Sequence, residues 1–161
     1  MRHLFVTLSF LISNLIFCQT KVDTIPSIQN NLAWLNKLDE IQDKSDKIKF
    51  IVEKIKIDSI YKNEGIEFST YISESGHLHD KIGSEIPCKL IFVLSDQKSN
   101  LELDLNKNPK QSYILNTLNS ETIDKITILK GLSATSLFGV KGNCGVVYLN
   151  ANKKIKILSK N

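Results

Sequence analysis

A cluster of glycines near the C-terminal end constrains this chain more than any other feature of its sequence. Four of the seven glycines fall between Gly131 and Gly145. Glycine allows backbone angles that other residues avoid, so the cluster concentrates sharp turns in one short segment. Residues that favour β-strands flank it on both sides, at positions 126–129 and 146–149. The sequence therefore predicts two strands joined by a tight corner.

The corner itself has room for one short helix. Ser133 is suited to cap a helix over residues 134–138, and Gly139 is suited to end it. Residues 142–145 then form another turn before the second strand. A strand, a short helix and a strand make a compact β-α-β unit, which would be right-handed if the two strands were parallel.

This order of residues resembles the signature of the TonB-dependent receptor plug domain, in the form found in Bacteroidetes-type outer-membrane receptors. The resemblance covers residues 122–149, and Asp124 stands where the family has an acid. Cys144 departs from the pattern, because the family has its asparagine and the following glycine adjacent. Residues 140–141 also depart, because an arginine is common there. The matching motif residues are Lys130, Gly131, Ser133, Ala134, Phe138, Gly139, Gly142, Asn143 and Gly145.

The resemblance implies an interaction module of the cell envelope. In complete receptors the plug sits inside a barrel of about 22 strands and gates the uptake of siderophores, vitamins or glycans. Only 12 residues follow Leu149, so we expect no transmembrane barrel in this chain. We therefore expect a plug-like module that associates with an outer-membrane receptor or another envelope protein.

Residues 1–18 resemble a secretory signal peptide. Arg2 supplies the positive start, and the apolar run over residues 4–17 is short for a spanning helix. We expect cleavage after Cys18 and export to the periplasm or the outer membrane. An uncleaved anchor and a lipidated Cys18 are the alternatives, although a lipobox has a small residue where this chain has Phe17.

The segment after the signal peptide has the periodicity of helices. Residues 25–58 carry apolar side chains at helical spacing, with Thr24 or Ser27 as the first cap and a second helix after Ser45. We therefore divide the mature chain into a helical segment over residues 19–59 and a plug-like α/β domain over residues 60–161.

Strand patterns follow the helical segment. Residues 66–72 alternate between apolar and polar side chains, and residues 87–94 contain a continuous apolar run that is typical of a strand buried on both faces. Residues 101–105 predict a short edge strand, and residues 113–118 predict a helical turn. The fold class is therefore α+β, with a helix pair followed by a small mixed sheet.

Charge and cysteine content limit the possible partners and chemistry. Removal of residues 1–18 takes away Arg2, the only arginine, and lowers the formal net charge from +4 to +3. Without guanidinium groups, and with lysines interspersed among acids, we expect no nucleic-acid binding. Cys88 and Cys144 can pair in an oxidising compartment or remain two free thiols.

One cluster offers an enzymatic alternative. His77, His79 and Asp80 would place two imidazoles on one side of a strand, as a metal-dependent hydrolase requires. No third ligand stands at a diagnostic spacing, so a solvated turn is the favoured interpretation. Ser133 lacks the glycine pattern of a nucleophile elbow. We therefore expect a non-enzymatic protein without a cofactor.

Overall fold

Four strands form one mixed sheet at the centre of the protein, in the order β2-β1-β4-β3. The computed structural model describes residues 26–61, 88–96 and 99–152. Within those ranges no helix combines the length and the apolar character needed to span a membrane. The elements are α1 (Ile28–Glu40), α2 (Lys44–Asp58), β1 (Ile91–Ser95), β2 (Asn100–Glu102), α3 (Ser112–Leu115), β3 (Ile123–Leu129), α4 (Leu132–Phe138) and β4 (Val146–Ala151).

The predicted α+β class, with a helix pair before a small mixed sheet, is confirmed. Ser27 caps α1 by accepting a hydrogen bond from the Asn30 amide at 3.2 Å. The second helix begins at Lys44, two residues earlier than predicted, because Asp43 caps it by accepting from the Asp46 amide at 2.9 Å. A carboxylate at this position satisfies an otherwise unpaired amide of the first turn.

The two N-terminal helices cover one face of the sheet. Trp34 stacks on Phe50 with ring centroids 4.9 Å apart and meets the edge of Phe92 in β1 at 6.0 Å. Helices and sheet therefore share one hydrophobic core. Its fully buried members with no exposed side-chain surface are Leu35, Leu38, Ile51, Leu94, Ile123, Val147 and Leu149.

The central strands β1 and β4 are parallel neighbours, with Ile91 opposite Val146 and Leu94 opposite Leu149. The prediction that residues 87–94 are buried on both faces is confirmed for Ile91 through Leu94. The strand begins later than predicted, because the Cys88 amide donates to the Pro26 carbonyl at 2.9 Å and holds that part of the chain against the start of α1.

The two strands that flank the glycine cluster lie side by side, with Leu129 opposite Val146, but they are antiparallel. The condition for a right-handed parallel crossover is therefore not met. The corner turns the chain back along β3, and β4 finds its parallel partner in β1 instead. Of the edge strand predicted over residues 101–105, only residues 101–102 are in a strand. They belong to β2 (Asn100–Glu102), which is antiparallel to β1. The strand predicted over residues 66–72 lies outside the described residues.

A buried ion pair lies at the C-terminal end of α2. The Lys54 ammonium donates to Asp58 Oδ1 at 2.6 Å, and both side chains are more than nine-tenths buried. Asp58 Oδ2 has no hydrogen-bond partner. Burial raises the pKa of the Asp58 carboxyl, and the hydrogen bond and charge of Lys54 oppose that shift. The Asp58 carboxyl therefore depends on Lys54 to remain charged inside the protein.

We predict that Lys54→Met lowers the free energy of unfolding by about 3–5 kcal/mol, because it leaves a buried carboxyl without its cation. The double variant Lys54→Met/Asp58→Leu should have a free energy of unfolding within about 1 kcal/mol of that of the natural protein, or higher. The reason is that burial of an apolar pair requires no desolvation of charge. Urea unfolding measures both values.

Lys56→Met is the matched control, because Lys56 is an exposed lysine of the same helix. Its effect should stay within about 0.5 kcal/mol. A double variant as unstable as the single Lys54 variant would contradict this account of the pair.

Candidate interaction surface

The segment over residues 130–145 is here called the corner, and its helix α4 lies on the face of the sheet opposite α1 and α2. Helix α4 packs there through Ala134, which is fully buried with Ile91, Val93 and Val146. Phe138, one helical turn later, meets Tyr148 with ring centroids 5.9 Å apart. Side chains four residues apart lie on the same face of a helix, so these two residues define the buried face of α4.

Two glycines allow the close contacts of the corner. A Cβ on Gly142 would lie 2.5 Å from the Ala134 carbonyl oxygen, so only glycine lets the turn over residues 139–144 fold back on α4. Gly145 has φ +97° and ψ 160°, and a Cβ there would collide with Leu35 Cδ1 of α1. Backbone angles of this kind are essentially restricted to glycine.

A disulfide joins the corner to the residue that precedes the central strand β1. Cys88 and Cys144 are bonded, with their Cα atoms 6.0 Å apart. Asn31 of α1 is fully buried beside them and donates to the Cys88 carbonyl at 2.8 Å. The bridge therefore holds the starts of β1 and β4 together, and Asn31 ties α1 to the same point.

Three large apolar side chains of the corner remain exposed to solvent. Leu132 is 85% exposed, Leu137 is 65% exposed and Val140 is 54% exposed. Leu132 and Leu137 stay outside because α4 packs on the sheet through Ala134 and Phe138, and Val140 lies on the turn that follows α4. We call these three residues the apolar corner surface. Exposed apolar groups gathered in one segment are a common mark of a site that contacts another protein.

The polar groups of α4 are bonded within the helix itself. The Thr135 hydroxyl donates to the Gly131 carbonyl at 3.3 Å or the Leu132 carbonyl at 3.2 Å, and the Ser136 hydroxyl donates to the Ser133 carbonyl at 3.2 Å. Nowhere in the described ranges do three His, Cys, Asp or Glu side chains gather as a metal site would require. The corner therefore offers contact surface and no cluster of metal-ligating side chains.

The corner itself carries lysines as its only charged residues. No acidic residue follows Asp124 in the sequence. Lys141 is exposed on the turn after α4, and Lys130 before α4 donates to Asn36 Oδ1 at 2.9 Å. Lys130 also lies 3.9 Å from the Asp39 carboxylate of α1, so the border of the surface carries one paired lysine and the exposed Lys141.

The structure brings the predicted motif residues together in this corner, with one correction. Gly139 ends α4 as predicted, with φ +60°. Ser133 does not cap the helix, because α4 begins at Leu132 after Gly131 and no side chain accepts a hydrogen bond there. The Gly131 carbonyl instead accepts from the Ala134 amide at 3.1 Å, and Asn143 lies exposed on the following turn. His77, His79 and Asp80 lie outside the described residues.

The sequence reasoning did not identify the apolar corner surface or the buried Asn31. The sequence contains one indication of this surface. Leu132 and Leu137 do not share the four-residue spacing of Ala134 and Phe138, so one helix face cannot bury all four side chains. Asn31 left no comparable signal, because its contact with Cys88 depends on how α1 lies across the sheet.

We predict that Gly145→Ala lowers the free energy of unfolding by about 2–4 kcal/mol, from backbone strain and from the displaced Leu35 side chain. Urea unfolding of the oxidised protein measures it. Gly139 also has a positive φ, but no atom lies within 4 Å of a Cβ added there. Gly139→Ala should therefore show the backbone strain alone and a smaller loss of unfolding free energy. Equal losses at both positions would contradict the role of the Leu35 contact.

Comparison with known proteins found no matching family model, curated protein or solved structure. The resemblance to a receptor plug domain therefore stays a prediction that rests on the residues of segment 122–149. What the structure adds is the corner into which those residues fold.

Proposed function

We propose that this chain is an exported, non-enzymatic interaction module that binds an envelope protein through the apolar corner surface, as part of an outer-membrane receptor or a similar assembly. The exposure of Leu132, Leu137 and Val140 is the observation that carries the proposal. Full burial of a leucine side chain contributes about 1.5–3 kcal/mol of favourable free energy. A partner that covers this surface would gain that free energy on binding, because folding leaves these side chains exposed.

The chemistry of the surface indicates the chemistry of the partner. Apolar side chains bordered by the exposed Lys141 suit a protein surface that is apolar at its centre and has an acid at its rim. The corner backbone is held by the disulfide and by the Gly142 contact, so binding requires little ordering of the loop. A rigid surface loses less free energy when it binds than a flexible one.

The disulfide supports the predicted compartment. Bonded cysteines such as Cys88 and Cys144 persist in exported proteins and are rare in the reducing cytosol. Residues 1–18, which lie outside the described residues, carry the separate prediction of a cleaved signal peptide.

We predict that the intact mass of the protein purified from the periplasm or envelope corresponds to a chain beginning at Gln19 and lacking two thiol hydrogens. Reduction should restore both hydrogens, as a buried Cys88–Cys144 bridge requires. A diacylglycerol on Cys18, or a full-length chain with free thiols, would contradict the predicted processing and compartment.

We predict that a photoreactive amino acid at position 137 crosslinks the protein in living cells to one periplasmic or outer-membrane protein. Leu132→Asn/Val140→Asn should reduce that crosslink about tenfold or more, because each polar side chain removes apolar contact area. Mass spectrometry identifies the partner and the partner residues that are attached.

Exposed apolar residues elsewhere provide the matched controls. Ile57 is 45% exposed and Ile60 is 56% exposed, both at the C-terminal end of α2. Ile57→Asn/Ile60→Asn should leave the crosslink from position 137 unchanged. The free energies of unfolding of all variants should agree within about 0.5 kcal/mol. Equal loss in the control variant, or attachment to unrelated proteins only, would contradict the proposal.

A further inference from the structure

The outer side of β3 is a free sheet edge in the described part of the chain. β3 pairs with β4 on one side only and ends the sheet. The Ile91 amide donates to the Gly145 carbonyl, and the Asn152 amide donates to the Thr122 carbonyl. Odd-numbered residues of β4 therefore bond towards β1 and even-numbered residues bond towards β3, because these directions alternate along a strand.

This alternation shows which groups of β3 point outward. Lys125, Thr127 and Leu129 stand opposite Asn150, Tyr148 and Val146, the even-numbered residues of β4. Their amides and carbonyls are therefore used within the sheet. Ile126 and Ile128 direct their amides and carbonyls to the outer side, which gives an unpaired row of two donors and two acceptors.

The two ends of this edge differ in their protection. At the N-terminal end the ladder is irregular between Ile123 and Lys125, and the Lys44 ammonium donates to the Ile123 carbonyl at 3.0 Å. Bulges and lysines are the usual means by which proteins prevent edge pairing. From Ile126 to Leu129 the edge has neither, and its side chains are half-buried apolar or threonine residues.

The sequence of β3 is complementary to itself in one antiparallel register. With Thr127 opposite Thr127 of a second copy, Ile126 stands opposite Ile128, so the outward-pointing groups of the two chains form four hydrogen bonds. The same register places the exposed Asp124 of each copy opposite Lys130 of the other, whose ammonium also donates to Asn36 Oδ1 and lies 3.9 Å from Asp39 in its own chain. Opposite charges, paired threonines and paired isoleucines are all favourable across neighbouring strands.

We propose that this protein forms a two-fold symmetric dimer through its β3 edges, centred on Thr127, which joins the two sheets into one of eight strands. The pairing is isologous, so it uses the β3 edge of each copy and closes at two copies. The interface does not include the contact residues of the apolar corner surface, so the proposal stands or falls separately from the proposed function.

A cysteine at the two-fold axis tests the register directly. In the proposed dimer the two copies of Thr127 form a non-hydrogen-bonded pair with Cα atoms about 4.5 Å apart, which is within the range of a disulfide. Oxidised Thr127→Cys protein should therefore run as a covalent dimer. Lys125→Cys is the control, because its two copies would lie about 13 Å apart along the strands and cannot be bridged.

Charge reversal tests the same register without cysteine. Sedimentation equilibrium of the mature protein should give a dimer at micromolar concentrations. Asp124→Lys or Lys130→Asp should each weaken the dimer about tenfold, because like charges then oppose each other twice. The double variant Asp124→Lys/Lys130→Asp should restore it.

The controls separate this interface from other surfaces and from general charge effects. Glu121→Lys makes the same change in net charge at an exposed position before β3 and should leave dimerisation unchanged. Leu132→Asn/Val140→Asn should also leave it unchanged. A monomer at all concentrations, equal crosslinking through Thr127→Cys and Lys125→Cys, or a dimer indifferent to charge reversal would each overturn the proposal.

Discussion

The approach of α1 to the start of β4 at Gly145 is the contact on which the rest of the structure depends. Leu35 occupies the space where any other residue would place its Cβ. At the same point Cys144 is bonded to Cys88, and Asn31 donates to the Cys88 carbonyl. One helix, two central strands and the corner therefore meet around a single glycine, and displacement of any one of them would disturb the others.

The two faces of the sheet are covered in different ways. The face beneath α1 and α2 buries a large cluster of leucine, isoleucine and aromatic side chains. The opposite face buries four residues, of which Ala134 is the only one from α4. A small residue allows α4 to lie close to the strands, but it leaves the larger side chains of that helix without a place in the core. Leu132 and Leu137 are therefore exposed because α4 makes few contacts with the sheet.

Local features of the fold could be predicted from the sequence, because their causes are local. Ser27 caps the first helix through its own hydroxyl, Gly139 ends α4 through its left-handed backbone, and the apolar run from Ile91 to Leu94 lies in a doubly buried strand. Ser133 was predicted as a cap, but Gly131 takes that place. The Gly131 backbone therefore starts the helix two residues earlier than a Ser133 cap would.

Relations between distant elements could not be predicted in the same way. The antiparallel direction of β3 and β4 depends on how the corner folds back, and the parallel pairing of β4 with β1 joins segments more than fifty residues apart. The buried Lys54–Asp58 pair follows the common helical spacing of four, a spacing that is equally typical of an exposed pair. What distinguishes a buried pair is contact with residues distant in sequence, such as Asn106, whose side-chain amide donates to the Asp58 carbonyl at 3.1 Å, and periodicity alone does not describe such contacts.

The bond between Cys88 and Cys144 turns the intervening chain into a closed covalent ring. β1, β2, α3, β3 and α4 all lie within it, whereas α1, α2 and β4 lie outside. A protease that cuts the backbone once inside the ring opens it without separating the fragments, and the hydrogen-bonded sheet can keep both in register. If the chain is exported as proposed, cleavage of a loop inside the ring and dissociation of the fragments are separate events, because dissociation also requires reduction of the disulfide.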